Sequence, residues 1–216
     1  QRLGGLHSAP LVLHNVDFAP LAAMQVAGDW DGAAAALAKA ATGLRQDGAL
    51  ALVLATNTRH KVADRVESEA ALPLLHIADA TGAALQAAGV RRAALLGTRF
   101  TMEDDGIVLQ RLRQRHGLAV DVPPAADREV MHRVIYEELC RGVTSADSRT
   151  AVVSMIERLR AAGAEAVVLG CTEIGLLVDA ACSPLPVFDT TALHAAAAVD
   201  WMLADLELEA APGADS

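Results

Sequence analysis

An internal repeat constrains the fold of this chain more than any other feature of its sequence. Residues 44–56 read LRQDGALALVLAT and residues 159–171 read LRAAGAEAVVLGC, so the two segments agree at seven of thirteen positions. Each segment is typical of a helix end, a glycine that permits a left-handed turn, and a short apolar strand. The repeat therefore predicts two related α/β halves, at residues 1–90 and 91–206, with part of the last helix (190–206) packing back on the first half.

The two repeated strands end on different reactive side chains, a hydroxyl at Thr56 and a thiol at Cys171. Ligands of parallel α/β sheets bind beyond the carboxyl ends of the strands, so we expect both side chains in one cleft between the halves. A helix start after Cys171 would lower the pKa of the thiol and favour a thiolate base. Two other interpretations stay open, with Cys171 as a small buried apolar residue and Thr56 as a helix cap.

Polar residues follow the predicted strands at positions suited to binding a carboxylate. Asn57, Thr58 and Thr172 directly follow the repeated strands, and Thr101 lies in the equivalent loop after another apolar segment. Their N–H and O–H groups can donate to an anion, although ordinary capping uses the same residue types. Arg141 stands before a glycine at a predicted helix end, where it can also stabilise the helix dipole. Other polar candidates are interpreted as local or structural: His60, His76, Cys140, Cys182 and the solvated pair Asp104–Asp105.

Apolar strands alternate with amphipathic helices along the chain, which is typical of parallel sheets with helical crossovers. The predicted strands cover residues 10–18, 50–55, 72–77, 92–98, 118–122, 166–170 and 185–188. Three of these strands fall in the first half and four in the second. We therefore expect the first half to lack its N-terminal strand. The acidic residues 207–216 are predicted to form a disordered tail.

Charge and residue usage exclude several functional classes. The net charge of −9, without a basic run, argues against nucleic acid and membrane partners, and no apolar run is long enough to span a membrane. Three cysteines, at positions 140, 171 and 182, give neither a disulfide framework nor a metal-site spacing, which favours a cytoplasmic protein without a metal. Lys39 and Lys61 are the only lysines, and neither is placed for pyridoxal phosphate. Glycine motifs for nucleotides are also absent, so no cofactor is predicted.

Three segments together resemble the aspartate/glutamate racemase family: ATNTRHK at residues 55–61, GTRFTM at residues 97–102 and LGCTEIGLLV at residues 169–178. RLGGLHSA near the start, IADAT and FDTTALH extend the resemblance over nearly the whole chain. The resemblance implies two pseudo-symmetric parallel-sheet halves with the active-site cleft between them. It also implies a homodimer that works without a cofactor.

The resemblance further implies a reaction, the inversion of Cα in a dicarboxylic amino acid by deprotonation on one face and reprotonation on the other. Most members use two cysteines, and a threonine in the first position resembles a Thr/Cys subgroup. The implied catalytic residues are therefore Thr56 and Cys171. The implied substrate-binding residues are Asn57, Thr58, Thr101, Arg141, Thr172 and Glu173, with Arg141 as the partner of the distal carboxylate.

Two other functions are compatible with the sequence. A decarboxylase of the arylmalonate type needs a single thiol as proton donor, which Cys171 alone can supply. A non-catalytic, vestigial carboxylate-binding homologue is favoured by the hydroxyl of Thr56. Incubation with aspartate, glutamate or a disubstituted malonate discriminates among the three functions.

Overall fold

Helices and parallel strands alternate along the chain, which confirms the predicted α/β class. A computed structural model describes residues 2–103 and 106–210, with side chains described through residue 204. The strands are β1 (Leu52–Val53), β2 (Leu74–Leu75), β3 (Arg92–Leu96), β4 (Ala119–Asp121), β5 (Ala166–Leu169) and β6 (Val187–Asp189). The α-helices are α1 (Phe18–Ala27), α2 (Trp30–Gln46), α3 (Ala63–Ala70), α4 (Ile77–Ala87), α5 (Arg99–Met102), α6 (Ile107–Gln114), α7 (Ala125–Arg133), α8 (Ala146–Ala161) and α9 (Thr190–Ala210).

The described residues form two compact units. The first unit contains residues 2–53, 62–75 and 195–210, and the second contains residues 54–61 and 76–194 apart from positions 104 and 105. This division differs from the predicted boundary at residue 90, because the loop after β1 and the helix α4 belong to the second unit. The helix α9 begins in the second unit and continues in the first.

In the first unit, α2 follows the signals in its sequence. Asp29 caps the helix, since its Oδ1 accepts a hydrogen bond from the backbone N–H of Gly32 at 2.8 Å. Gly48, with a φ of 91°, turns the chain toward β1 after the helix ends. β1 then pairs in parallel with β2, with Leu52 opposite Leu74.

The predicted strand at residues 10–18 is wrong. Residues 7–17 have no regular secondary structure, and α1 begins where the Asp17 side chain accepts from the backbone N–H of Ala19 at 3.2 Å. A strand needs a neighbour that pairs its backbone groups. Within the described residues, the sheet of this unit consists of β1 and β2 alone, so this apolar segment has no strand to pair with.

The second unit is built on a parallel four-stranded sheet in the order β4-β3-β5-β6. β5 has β3 on one side and β6 on the other, and all of its residues are buried. Successive side chains of a strand point to opposite faces, so the sheet carries an apolar layer on each side. Leu96 packs into one layer with α7 and α8, and Leu95 packs into the other with α4 and α6.

The cap of the helix α4, which begins at Ile77, is His76 rather than Asp79. The Nδ1 atom of His76 accepts from the backbone N–H of Ala78 at 3.1 Å and caps the helix. Asp79 lies in the first turn instead and forms an ion pair of 2.7 Å with Arg111 on α6. Burial acts to raise the pKa of Asp79, but hydrogen bonds from Arg111 and His116 bring it well below its usual range. This pair therefore joins α4 to α6 on one face of the sheet.

Gly106 lies between α5 and α6, immediately before α6 begins. A Cβ atom at Gly106 would lie 2.6 Å from the carbonyl oxygen of Thr101, so the turn between the two helices requires glycine. The predicted solvated pair Asp104–Asp105 lies outside the described residues.

The helical segment that begins with α7 changes its winding toward its end. It continues as a π-helical turn at Val134–Glu138 and a 3-10 turn at Leu139–Arg141. The predicted tail at residues 207–216 begins as helix, because α9 ends at Ala210, and its other residues lie outside the described part. None of the described helices is both long and apolar enough to cross a membrane.

Candidate active site

The carboxyl ends of three neighbouring strands carry the candidate site in the second unit. β3 leads into Thr98, β5 leads into Cys171 and β6 leads into Thr190. Because β5 lies between β3 and β6, Cys171 is flanked by the loops that follow the other two strands. Parallel α/β sheets bind ligands at this edge, where the sequence also predicts the site.

Two glycines allow the loops after β3 and β5 to approach each other closely. A Cβ atom at Gly97 would lie 3.0 Å from the Cβ of Thr101 and 3.1 Å from the carbonyl oxygen of Gly170. A Cβ atom at Gly170 would lie 2.9 Å from the carbonyl oxygen of Leu96. Without these side chains, the backbone N–H of Gly170 donates to the Leu96 carbonyl at 2.6 Å. The small residues thus bring Thr101 next to the loop that carries Cys171.

Three threonine side chains, Thr58, Thr98 and Thr101, form what we call the hydroxyl cluster. The Oγ1 atom of Thr58 lies 3.3 Å from that of Thr101 and 3.5 Å from that of Thr98, and the last two are 3.2 Å apart. These separations are longer than the roughly 2.7–2.8 Å of a typical hydrogen bond between hydroxyl groups. Each proton is therefore held weakly, and the cluster can turn its donors toward a stronger acceptor such as a carboxylate.

The side chain of Asn57 is held by a chain of hydrogen bonds that begins at β5. The hydroxyl of Thr190 donates to the carbonyl oxygen of Leu169 at 2.8 Å, so its Oγ1 is free to accept from the Asn57 Nδ2 at 3.0 Å. This arrangement fixes which end of the amide is nitrogen. The Asn57 Oδ1 is buried and has no hydrogen-bond partner within the part of the chain that the structure describes. It is therefore an acceptor available to a ligand that can donate.

The loop of residues 56–58 is attached to both strands that flank β5. Thr58 contacts the residues after β3, through the hydroxyl cluster, and Asn57 contacts the first residue after β6. Since β5 lies between these strands, the loop crosses the end of β5, where Cys171 stands. Thr56 and Cys171 are both half-buried, so neither side chain is sealed in the core.

The thiol of Cys171 donates to a carboxylate. Its Sγ atom lies 2.8 Å from the Oε2 atom of Glu173. Burial, followed by the negative charge of Glu173, raises the pKa of the Cys171 thiol far above its ordinary value. At neutral pH the thiol is therefore protonated.

The predicted lowering of the Cys171 pKa by a following helix is thus wrong. The chain after Cys171 makes a turn and only a 3-10 turn at Ile174–Leu176, so no α-helix dipole points at the sulfur. Glu173, predicted as a substrate-binding residue, is engaged with the thiol in this structure. The predicted thiolate would need a proton acceptor, and Glu173 is in position to be one.

The 3-10 turn that contains Arg141 lies close to Cys171. The thiol of Cys140 acts electrostatically on Cys171, and burial and Glu173 raise its own pKa. Arg141, the predicted partner of the distal carboxylate, is exposed, and so is Thr172, a predicted carboxylate donor. Thr172 directly follows Cys171 in the chain and Arg141 directly follows Cys140, and both side chains face solvent.

The side chain of His60 contacts the backbone of the loop at residues 56–58. Its Nδ1 atom lies 2.6 Å from the carbonyl oxygen of Thr56, and its Nε2 atom accepts from the backbone N–H of Ile77 at 3.2 Å. Burial lowers the pKa of His60 to about 4, and that of His76 to about 3. Both rings are therefore neutral near pH 7, in agreement with their predicted role as local hydrogen-bonding groups.

A buried guanidinium, Arg59, follows the hydroxyl cluster directly in the chain. The side chain of Arg59 is 8% exposed. Burial lowers its pKa, and the nearby phenol of Tyr136 acts in the opposite direction. Tyr136 lies in the π-helical turn at Val134–Glu138, shortly before Cys140. One segment of the chain therefore contains a group that acts on Arg59 and a group that acts on Cys171.

Sequence reasoning missed three residues that the structure brings to the site: Thr98, Thr190 and Arg59. A signal existed for two of them, because Thr98 is the last residue of the strand predicted at 92–98 and Thr190 lies two residues after the strand predicted at 185–188. Arg59 gave no such signal. Its position in a polar run suggests an exposed side chain, and only the fold shows that it is buried.

Comparison with known proteins identifies relatives over the length of the chain. A sequence profile of the Asp/Glu/Hydantoin racemase family matches residues 1–198. A Yersinia pestis protein provisionally named an Asp/Glu racemase has 50% sequence identity to this chain, with a TM-score of 0.87 over 94% of this chain and 87% of its own. An aspartate racemase homologue from Pyrococcus horikoshii OT3 has 32% identity and a TM-score of 0.80 over 92% of this chain and 86% of its own.

A more distant structure shares the fold alone. A glutamate racemase from Francisella tularensis, solved in complex with D-glutamate, has 17% identity to this chain and a TM-score of 0.60, over 85% of this chain and 68% of its own. The profile match covers far more than half of the chain, and the first two relatives agree with it. The chain therefore belongs to the Asp/Glu/hydantoin racemase family.

Proposed function

We propose that this protein is a cofactor-independent amino-acid racemase that interconverts the L and D forms of aspartate, glutamate or both. Cys171 exchanges a proton with one face of Cα, and Thr56 exchanges a proton with the other. One observation carries the proposal. The loop of residues 56–58 is tied to both strands that flank β5 and so crosses the strand end that bears Cys171.

The hydroxyl cluster is the proposed site of the α-carboxylate. Its donors are weakly engaged with one another, and a carboxylate offers them a stronger acceptor. Loss of the Cα proton moves negative charge onto the carboxylate oxygens, so hydrogen bonds from Thr58, Thr98 and Thr101 strengthen in the transition state. The backbone and side chain of Thr172, which follows Cys171, can add further donors.

The α-ammonium group of the substrate matches the acceptor at Asn57. The Oδ1 atom is buried and directed by the Thr190 relay, and a buried acceptor without a donor costs free energy of about 1–3 kcal/mol. An ammonium group supplies the missing donor. A positive charge near Cys171 would also lower the pKa of the thiol and ease its ionisation.

The two bases act in turn. In one direction Glu173 accepts the proton of Cys171, the thiolate removes the Cα proton, and the hydroxyl of Thr56 supplies a proton to the opposite face. In the reverse direction the Thr56 alkoxide receives the Cα proton, the thiol of Cys171 donates its proton to the opposite face, and Glu173 returns a proton to the sulfur. Proton exchange with solvent resets Thr56 and Glu173 between turnovers. An alcohol is a weak base without an activating neighbour, so the two directions have different maximal rates. The values of kcat/KM for the L-to-D and D-to-L directions remain equal, because enantiomers have equal free energies.

Two cations are candidates for binding the distal carboxylate. Arg141 lies one residue after Cys140, which acts electrostatically on Cys171, and its exposed side chain can turn toward a bound ligand. Arg59 lies one residue after Thr58 of the hydroxyl cluster, and its guanidinium is already desolvated. A chain with a net charge of −9 needs such a local cation to hold a dicarboxylate.

Racemisation in D₂O tests the proposal. The purified protein is incubated separately with L-aspartate and L-glutamate, the enantiomers are separated, and deuterium at Cα is measured by mass spectrometry. We expect the D form to appear with one deuterium at Cα, to require Cys171, and to survive Cys182→Ala as the matched control. Absence of both antipode formation and exchange with both acids would refute the proposal.

The alternative functions give different results in the same series. Carbon dioxide release from a disubstituted malonate, without racemisation of either acid, would identify a decarboxylase that uses Cys171 as its single proton donor. Binding of either acid without exchange would identify a non-catalytic homologue. We also propose that the protein is a homodimer, as the family resemblance implies, and light scattering of the purified protein measures this directly.

A further inference from the structure

We propose that His60 is a positioning residue that holds the backbone at Thr56, and through it the hydroxyl, in the orientation for proton transfer to Cα. The inference rests on the proposed function, in which Thr56 serves the face of Cα opposite Cys171. It assigns a role to a buried side chain that need not contact the substrate at all.

The hydrogen bonds of His60 determine its tautomer. A backbone N–H can only donate, so the Nε2 atom that faces the N–H of Ile77 at 3.2 Å carries no proton. In the neutral ring, Nδ1 then carries the proton and donates it to the carbonyl oxygen of Thr56 at 2.6 Å. Both nitrogen atoms are thus engaged in one fixed direction, from the backbone of Ile77 through the ring to the backbone of Thr56.

The surroundings of His60 keep this arrangement in place. The residue is 1% exposed, and its ring lies 4.4 Å from the ring of His76 and 5.7 Å from that of His194, measured between centroids. Burial lowers its pKa to about 4, with His194 and Arg111 acting in the same direction and the Thr56 hydrogen bond opposing them. The ring is therefore neutral over the pH range in which a racemase would act.

The tether joins a tight turn of the loop to the start of a helix. Thr56 lies in a tight turn, because its backbone N–H donates to the carbonyl oxygen of Leu54 at 2.7 Å. The other end of the tether is the first N–H of α4, which has no acceptor inside its own helix. His60 therefore connects the turn that carries Thr56 to the start of α4. A displacement of about 1 Å at a proton-transferring group can lower a rate by about a hundredfold.

Two substitutions at position 60 separate positioning from simple loss of packing. His60→Asn retains a nitrogen donor near the place of Nδ1, which can still reach the Thr56 carbonyl. His60→Gln retains a group near the place of Nε2 for Ile77 and loses the donor to Thr56. We expect His60→Asn to keep racemisation within about threefold of wild type and His60→Gln to lower it by tenfold or more.

The informative readout is deuterium exchange compared with racemisation. For the enantiomer whose Cα–H faces Cys171, exchange into recovered substrate needs Cys171 alone, whereas conversion to the antipode also needs Thr56. His60→Gln should therefore keep this exchange while racemisation falls, and Thr56→Ala should do the same. A proportional loss of both activities, or equal racemisation by the Gln and Asn variants, would overturn the inference.

The tautomer can be measured in the unmodified protein, which keeps the inference testable where a variant does not fold. Nitrogen NMR of the His60 ring should show a protonated Nδ1 and an unprotonated Nε2 at neutral pH. The opposite tautomer would overturn the inference. A wild-type protein that does not racemise either acid would instead refute the proposed function, and the two failures are thereby distinguishable.

Discussion

The loops after β1 and β5 follow the two copies of the repeat, yet the side chains around their reactive groups differ in polarity and charge. The loop after β1 is polar and backed by neutral histidines, and its residues are held by hydrogen bonds to neighbouring loops. The loop after β5 sets Cys171 beside the buried residues of an apolar layer and beside one carboxylate, Glu173. A shared strand–loop pattern therefore does not give shared acid–base behaviour, because burial and the nearest charge set the pKa of each group.

The strands of the two copies also differ. β1 has two residues and pairs with β2, whereas β5 has four residues and lies between β3 and β6. The apolar residues of the two copies are similar in sequence, so the difference comes from the number of neighbouring strands. The loop after β5 is consequently supported on both sides, while the loop after β1 depends on side-chain tethers such as His60.

Among the substitutions in these two loops, removal of the Cys171 thiol should lower activity the most. Cys171→Ala is expected to lower kcat by about 10²–10⁴-fold, the usual contribution of a positioned acid or base. Its effect on the free energy of unfolding should be small, since the side chain is only half-buried. Racemisation assays and thermal melts measure both quantities, with Cys182→Ala as the control. A well-folded variant that keeps more than a few per cent of activity would show that Cys171 is not a base.

Acid should destabilise the protein through the histidine-backed loop. The folded-state pKa of His60 is lowered from 6.5 to about 4, so its neutral form contributes stability above pH 6.5 that is lost as the pH falls toward 4. The free energy of unfolding should fall by about 3 kcal/mol once the pH lies below the folded-state pKa of His60. Urea denaturation at several pH values measures it. His60→Asn should reduce this pH dependence, with the part due to His76 remaining, and His14→Asn, at an exposed site, should leave it unchanged.

Neutralisation of Glu173 should make Cys171 more acidic. Burial and then the charge of Glu173 raise the pKa of the thiol, so Glu173→Gln should increase the rate of alkylation by iodoacetamide at pH 8, by about tenfold for each pKa unit recovered. Racemisation should fall in the same variant, because the proton acceptor of the thiol is lost. The comparison is made in a Cys140→Ser, Cys182→Ser background. Unchanged alkylation would mean that burial alone controls this thiol.

Replacement of the two arginines should change substrate binding by a smaller factor. Arg141→Met and Arg59→Met keep much of the apolar bulk of the side chain and remove the charge, so KM for dicarboxylates should rise several-fold with a smaller change in kcat. The variant with the larger rise identifies the partner of the distal carboxylate. An unchanged KM in both variants would exclude both arginines, and Lys39→Met on α2 is a surface control.

Much of the site was predictable because its residues directly follow apolar strands. Thr58 and Thr101 were each predicted to bind a carboxylate, and their hydroxyl groups lie 3.3 Å apart. Thr98 could also have been added, because it is the last residue of the strand predicted at 92–98. The environment of Cys171 could not be predicted, because it depends on whether the next residues form an α-helix and on where the Glu173 side chain turns.

The sequence by itself determined the local features of this protein, since their causes lie within a few residues. These include the cap at Asp29, the turn at Gly48, the buried strand β5 and the reactive groups at the strand ends. The tertiary structure decided what depends on distant neighbours: the failure of residues 10–18 to form a strand, the direction of the Cys171 pKa and the tautomer of His60. Pairing partners, desolvation and hydrogen bonds such as that from Ile77 to His60 exist only once remote segments have been brought together.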